Sequence, residues 1–202
     1  MSGADLTITA EPIDHDRCKF IVSQPVHAGG VRRFASTTEA AGSPLAEAIF
    51  AIPAAGVVEV IVSGNLVTVV KRGPTPWTAI GKSVGAAIRA ALATTAPAVT
   101  PREPAATSTD DDVLYEQVAE LFQTKVNPMV ARHGGAVELI DVQDGVVMLR
   151  MGGGCQGCGM ADVTLRQGIE AMLRQHAPEV KGLVDVTDHS SGSNPYFAAA
   201  KK

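Results

Sequence analysis

The chain has little cysteine, no long apolar run and no surplus of positive charge, and each shortage removes a class of protein. Three cysteines in 202 residues cannot build the disulfide framework of a small secreted domain, so a closely spaced pair reads as metal-binding or redox-active. No stretch approaches the ~18 consecutive apolar residues that a membrane-spanning helix needs. The opening "MSGADLTITAEPIDHD" is acidic, where a secretory leader is basic and then apolar. The expected compartment is the cytoplasm, with no membrane partner. A formal net charge of −4 argues against general nucleic-acid binding, which needs clustered Lys and Arg to displace counterions from phosphates. The charge is also uneven: residues 1–109 hold nine basic and eight acidic side chains, residues 110–202 eight and thirteen. Macromolecular partners are therefore expected to differ between the halves.

What is present is a 46% hydrophobic fraction over a length that suits one medium domain or two small ones. The stretch "ATTAPAVTPREPAATST", residues 93–109, has three prolines, no aromatic residue and one β-branched apolar residue. It offers no periodic apolar face to offset its ordering entropy, so it reads as an extended, mobile linker. Three segments follow: a first domain over 1–92, the linker over 93–109 and a second domain over 110–202.

The first domain reads as strand, helix, hairpin, helix. "KFIVSQPV" is a strand that Pro25 makes an edge strand or ends. "SPLAEAIFAI" is a helix with Ser43 as N-cap, Pro44 at its first position, and Leu45, Ile49 and Ile52 on one face. "VVEVIVSGNLVTVVK" is a hairpin turned at Ser63-Gly64-Asn65, and a last helix from Pro76 or Trp77 carries Ile80, Val84, Ile88 and Leu92. The second domain reads as helix, hairpin, cysteine loop, helix, strand. Three aspartates suit a helix start, and apolar residues at 114, 118, 121, 122 and 126 make its stripe. Pro128 kinks it or starts another turn, and "HGG" at 133–135 stops it. A hairpin turns at Asp144-Gly145. After the cysteines, "ADVTLRQGIEAMLRQHAP" turns Val163, Leu165, Ile169, Met172 and Leu173 inward, and "GLVDVTD" is a third strand. The fold class is α+β, two small modules that each lay helices on a short β-sheet.

The chemistry sits in "GGGCQGCG", residues 152–159. Two residues between Cys155 and Cys158 let both thiolates grip one metal atom or a cluster edge. The helix expected near Ala161 aims its N-terminal N–H groups at the sulfurs, and the surrounding glycines let main-chain donors approach. Zinc and the common clusters want about four ligands, and this module offers two cysteines. His133, His176 and His189 lack metal-ligand spacing, which favours two chains that each contribute a CxxC. Spacing alone leaves a cluster ahead of two alternatives, a zinc-stapled dimeric binding module and a thiol-disulfide oxidoreductase. The latter usually carries an aromatic before its first cysteine, where glycines stand here. A phosphate loop needs a lysine and a hydroxyl at the close of the glycine run, where Met160-Ala161 stand.

Beyond spacing, residues 127–173, "NPMVARHGGAVELIDVQDGVVMLRMGGGCQGCGMADVTLRQGIEAML", resemble the NifU C-terminal (Nfu-type) domain of iron-sulfur cluster scaffold and carrier proteins. Pro128, "HGG", "DG", "GGGCxGC", "VTL" and "GIE" all fall in register. "GLVDVTDHSSGSNPYF" is similar to the tail of the bacterial members, and "GSPLAEAIFAIPAAGVVEVIVSGNLVTVVKRGPTPW" resembles the Nfu N-terminal domain. There Ile49-Phe50 replaces the usual Leu-Phe, an extra alanine precedes Gly56, and Leu66 stands where an aromatic is common. The resemblance implies a non-enzymatic carrier. It would take a 4Fe-4S cluster, with 2Fe-2S possible, from an upstream assembly scaffold and deliver it to apo iron-sulfur client proteins. Cys155 and Cys158 match the family's ligands, paired with the same two in a second subunit of a homodimer.

Other notable residues take structural roles. Cys18 is expected to be a small apolar side chain in or near a strand, and Trp77 a core anchor. "RR" at 32–33 and "KR" at 71–72 read as solvated charge.

Overall fold

The computed structural model describes residues 6–53, 55–94, 97–100, 109–132, 134–153 and 159–188. The chain divides into two units, Met1–Glu103 and Pro104–Lys202, each with its own sheet. Among the described residues no helix is long and apolar enough to cross a membrane.

In the first unit β1 (Ile8–Pro12), β2 (Arg17–Val22), β3 (His27–Phe34), β4 (Val57–Gly64) and β5 (Leu66–Lys71) form an antiparallel sheet in the order β1-β2-β5-β4-β3. Period-two alternation sends Cys18, Phe20, Val22, Phe34, Val60, Val62, Val67 and Val69 to one face. Helices α1 (Pro44–Phe50) and α2 (Trp77–Leu92) bury Leu45, Ile49, Ile80, Val84 and Ile88 against that face. A seven-residue helix such as α1 does not hold alone in water, so this burial, about 1.5–3 kcal/mol per large aliphatic side chain, is what keeps it.

Several expectations are corrected here. β1 and β3 add two strands to the order read from the sequence. β2 is interior, between β1 and β5, so the edge-strand reading of Pro25 fails, whereas its reading as the strand's end agrees with a strand that stops at Val22. Ser43 occupies the N-cap position of α1 but makes no side-chain cap. Its hydroxyl accepts the Thr100 N–H (3.1 Å) and bonds the Thr100 hydroxyl (2.5 Å). That contact belongs to a second correction. Ala98 and Val99 are buried in the first unit's core, and the Leu45 N–H donates to the Ala98 carbonyl (3.0 Å). Part of the stretch read as an extended linker is thus packed. Its one β-branched apolar residue, Val99, supplies enough burial to order four residues, 97–100; residues 101–108 lie outside the described part.

The second unit follows the expected order. α3 (Thr109–Leu121) runs into a π-helical turn (Phe122–Val126) and then α4 (Asn127–Ala131). The wide turn suits Pro128, which has no N–H to give to a residue one turn back; Asn127 N–H reaches the Phe122 carbonyl, five residues back. Leu114, Val118, Leu121, Phe122 and Val126 are all buried, as the stripe predicted. Gly134, at φ 72, ends the helix and donates its N–H to the Ala131 carbonyl (3.0 Å). β6 (Gly135–Gln143) and β7 (Val146–Gly153) form the hairpin, turned at Asp144 (φ 52) and Gly145 (φ 77). This is the left-handed pair that an Asp-Gly turn accommodates. α5 (Gly159–His176) crosses over to β8 (Gly182–Asp185), which lies parallel to β7, giving the order β6-β7-β8. Ile169 and Leu173 of α5 are buried, with Leu165 and Met172 half-buried beside them.

Candidate metal centre

Cys155 and Cys158 lie outside the described residues, and so do His133 and His189. What the structure gives is the frame from which the cysteine segment departs and to which it returns. On the near side, β7 ends at Gly153, paired with Gly135 at the start of β6. Gly153 has φ 63, and a Cβ there would sit 2.6 Å from the Gly134 carbonyl oxygen and 3.3 Å from the Gly135 Cα. Two glycine motifs, "HGG" and "GGG", far apart in sequence, therefore meet backbone to backbone at the exit toward Cys155. No side chain fits between them.

A second restraint acts two residues earlier. The Met151 N–H donates to the Thr187 hydroxyl (2.7 Å), and that hydroxyl donates in turn to the Asp185 carboxylate. On the far side α5 begins at Gly159, directly after Cys158 and earlier than Ala161. The partial positive charge of its first turn thus faces the cysteine segment along the chain. Arg166 ties this helix to β8 by donating to the Leu183 carbonyl (3.3 Å), and it also pairs with Glu170 (3.2 Å). The end of β7 is thus tied to the residues just after β8, and α5, further along its length, to β8 itself.

Of the three histidines weighed as ligands, the structure decides one. At about 1.5 Å per residue, the 18 residues of α5 place His176 roughly 25 Å from Gly159. His176 Nε2 accepts instead from the Lys125 ammonium (2.8 Å). It does not complete a site with Cys158 of its own chain. Among the described residues no group of three or more His, Cys, Asp or Glu is placed to hold a metal ion.

Cys18 belongs to the first unit's core. It is fully buried in β2 beside Phe20, and burial, reinforced by the Glu11 carboxylate, pushes its thiol up to about 12. Trp77 opens α2 as an anchor, edge-on to Phe20 (6.3 Å between ring centres), with its indole N–H on the Asp14 carbonyl (3.2 Å). Of the two basic pairs, Arg72 is exposed as the solvated reading has it, and the other three residues depart from it. Lys71 is completely buried, its ammonium 5.3 Å from the Trp77 ring centre and donating to the Gly73 carbonyl (3.2 Å). Arg33 forms an ion pair with Glu59 that is mostly shielded from solvent, and Arg32 lies over Phe34 and donates to the Thr100 carbonyl (3.1 Å).

Two family models match the chain: "Scaffold protein Nfu/NifU N terminal" over residues 8–95 and "NifU-like domain" over residues 118–184. The chain is an Nfu/NifU-type protein. Among curated proteins it is 52% identical over 89 residues to the Fe/S biogenesis protein NfuA of Ectopseudomonas mendocina, covering 44% of this chain and 46% of that one. It is 48% identical over the same length and shares to the Azotobacter vinelandii protein of the same name. The match thus spans about half the length of these relatives. A solved NifU-like protein from Saccharomyces cerevisiae is 20% identical, with a TM-score of 0.41 over 51% of this chain and 92% of that one. The Nfu/NifU-type match contains Cys155, Cys158 and both glycine motifs, and it ends before Asp185 and Thr187. Sequence reading missed those two residues. The available signal was an Asp and a Thr two apart at the end of a strand, where a carboxylate readily accepts the N–H two residues on.

Proposed function

We propose that this chain is an iron-sulfur cluster scaffold or carrier: Cys155 and Cys158 hold a 4Fe-4S cluster together with the same pair in a second copy of the chain. The observation that carries the reading is a two-cysteine segment, half of a four-ligand set, mounted between a strand end and a helix start inside a NifU-like match. The Fe/S biogenesis names of the relatives support the same reading.

Glycines at 152, 153, 154, 157 and 159 add no side chain of their own beside the cysteines, which suits main-chain donors to a cluster's sulfur. Delivery is ligand exchange. A thiolate of an apo client binds one iron as a carrier thiolate leaves, so each iron keeps its ligand number and the released sulfur can take up a proton. The exchange needs no acid-base pair or nucleophile-base constellation on this chain, so the role is carriage rather than catalysis. Cytoplasmic assembly scaffolds upstream and apo iron-sulfur proteins downstream are the partners this implies, with the first unit meeting clients.

Serine at either Cys155 or Cys158 is expected to abolish cluster retention after anaerobic reconstitution while leaving the far-ultraviolet circular dichroism unchanged. Cys18→Ala is expected to keep the cluster. A brown, stable Cys155→Ser protein would refute the ligand assignment, and a colourless wild-type protein carrying zinc would replace the cluster with a zinc-bridged dimer.

A further inference from the structure

We propose that Thr187, locked by Asp185, is a positioning residue for the cysteine pair, holding the exit of β7 where the backbone ladder runs out. The proposal rests on the reading of Cys155 and Cys158 as cluster ligands. β8 pairs with β7 only from Val146 to Leu149, and β7 runs four residues further, to Gly153. Past Asp185 the chain keeps its register for one more rung, with the Val186 N–H on the Leu149 carbonyl (2.8 Å). The next β7 donor, Met151, meets the Thr187 side chain at 2.7 Å.

That hydroxyl has one proton, which goes to the Asp185 carboxylate, and the same oxygen of Asp185 accepts the Thr187 N–H at 2.8 Å. With the proton committed, the hydroxyl presents a lone pair to Met151. Thr187 and Met151 are each 1% exposed and Asp185 7%, so water does not readily take over either partnership. Loss of the hydroxyl strands a buried amide two residues before Gly153. The consequence falls on Met151–Gly153, the residues that aim the chain toward Cys155. Both clasp residues lie beyond residue 184, where the NifU-like match stops.

The test uses the full chain, reconstituted anaerobically, in four forms: wild type, Thr187→Val, which removes the hydroxyl and keeps the shape, Thr187→Ser, which keeps the hydroxyl, and Asp111→Ala. Asp111 accepts from the Asp144 and Gly145 amides (both 2.9 Å) at the opposite end of the hairpin, so its loss weakens this unit far from the cysteines. Two quantities are read: the half-life of the visible absorption under excess iron chelator, and amide exchange at Met151–Gly153 in the cluster-free chain. Thr187→Val is expected to shorten the half-life about tenfold, the equivalent of ~1.4 kcal/mol, and to speed exchange at those three amides. Thr187→Ser is expected to stay close to wild type, and Asp111→Ala to leave the half-life unchanged.

A Thr187→Val half-life equal to wild type overturns the proposal, as does an equal shortening by Asp111→Ala, which would trace the effect to general stability. If the wild-type chain takes no cluster, the reading of the cysteines fails separately. Exchange then decides the clasp: acceleration in Thr187→Val sustains it and unchanged exchange overturns it.

Discussion

At Cys18, burial and chemistry point the same way. The thiol lies in β2 without solvent contact and is pushed up to about 12, so at neutral pH it is neither a thiolate nor reachable. Iodoacetamide at pH 8 is expected to leave Cys18 unmodified in the native chain and to modify it fully after unfolding in urea, as read by peptide mass spectrometry. Rapid native modification would contradict the packing. The apolar role of Cys18 and the anchor role of Trp77 were legible in the sequence, because both follow from residue type within an apolar pattern. The environment of Lys71 was not. A basic pair reads as surface until a tertiary partner appears, and the partner here is the face of Trp77, which opens α2 after the loop that follows β5. Ser43 shows the same limit: its cap position was readable, but its actual partner, Thr100, is 57 residues away.

Among the elements, the β6–β7 hairpin organises the second unit, and it is held at both ends. The Asp144-Gly145 turn announced itself in the sequence, because few residue pairs tolerate two left-handed positions in succession. The grip of Asp111 on that turn did not, since three consecutive aspartates at a helix start are equally explained by the helix dipole. Asp111 is only 7% exposed and receives two main-chain bonds, so Asp111→Ala is expected to cost about 2–3 kcal/mol in urea denaturation of the second unit. A loss below about 0.5 kcal/mol, the level of an ordinary surface change, would show that the clamp is not structural. At the other end, the meeting of Gly153 with Gly134 and Gly135 explains the glycines on either side of the hairpin. The strands missed by sequence reading had weak signals of their own. β1 ends in Pro12, and β3 interrupts its pattern with a bulge between His27 and Val31.

For the whole molecule, the division into two modules and their class were legible because the Pro/Ala/Thr stretch breaks the apolar periodicity. Its exact extent was not, because Val99 draws residues 97–100 into the first unit. The site reads from the sequence as half a site, with Cys155 and Cys158 outside the described residues: two cysteines stand against a need for about four ligands, a count that no fold of one copy changes unless histidines join. His176, at the far end of α5, does not. The central claim is therefore a shared cluster, and its most direct measurement is the mass and the iron and sulfide content of the anaerobically reconstituted chain, taken together with its visible spectrum. The account predicts a brown dimer with about two iron and two sulfide per chain, one 4Fe-4S cluster between two CxxC segments. A brown monomer carrying a full cluster, or a colourless protein with zinc in place of iron, would contradict it.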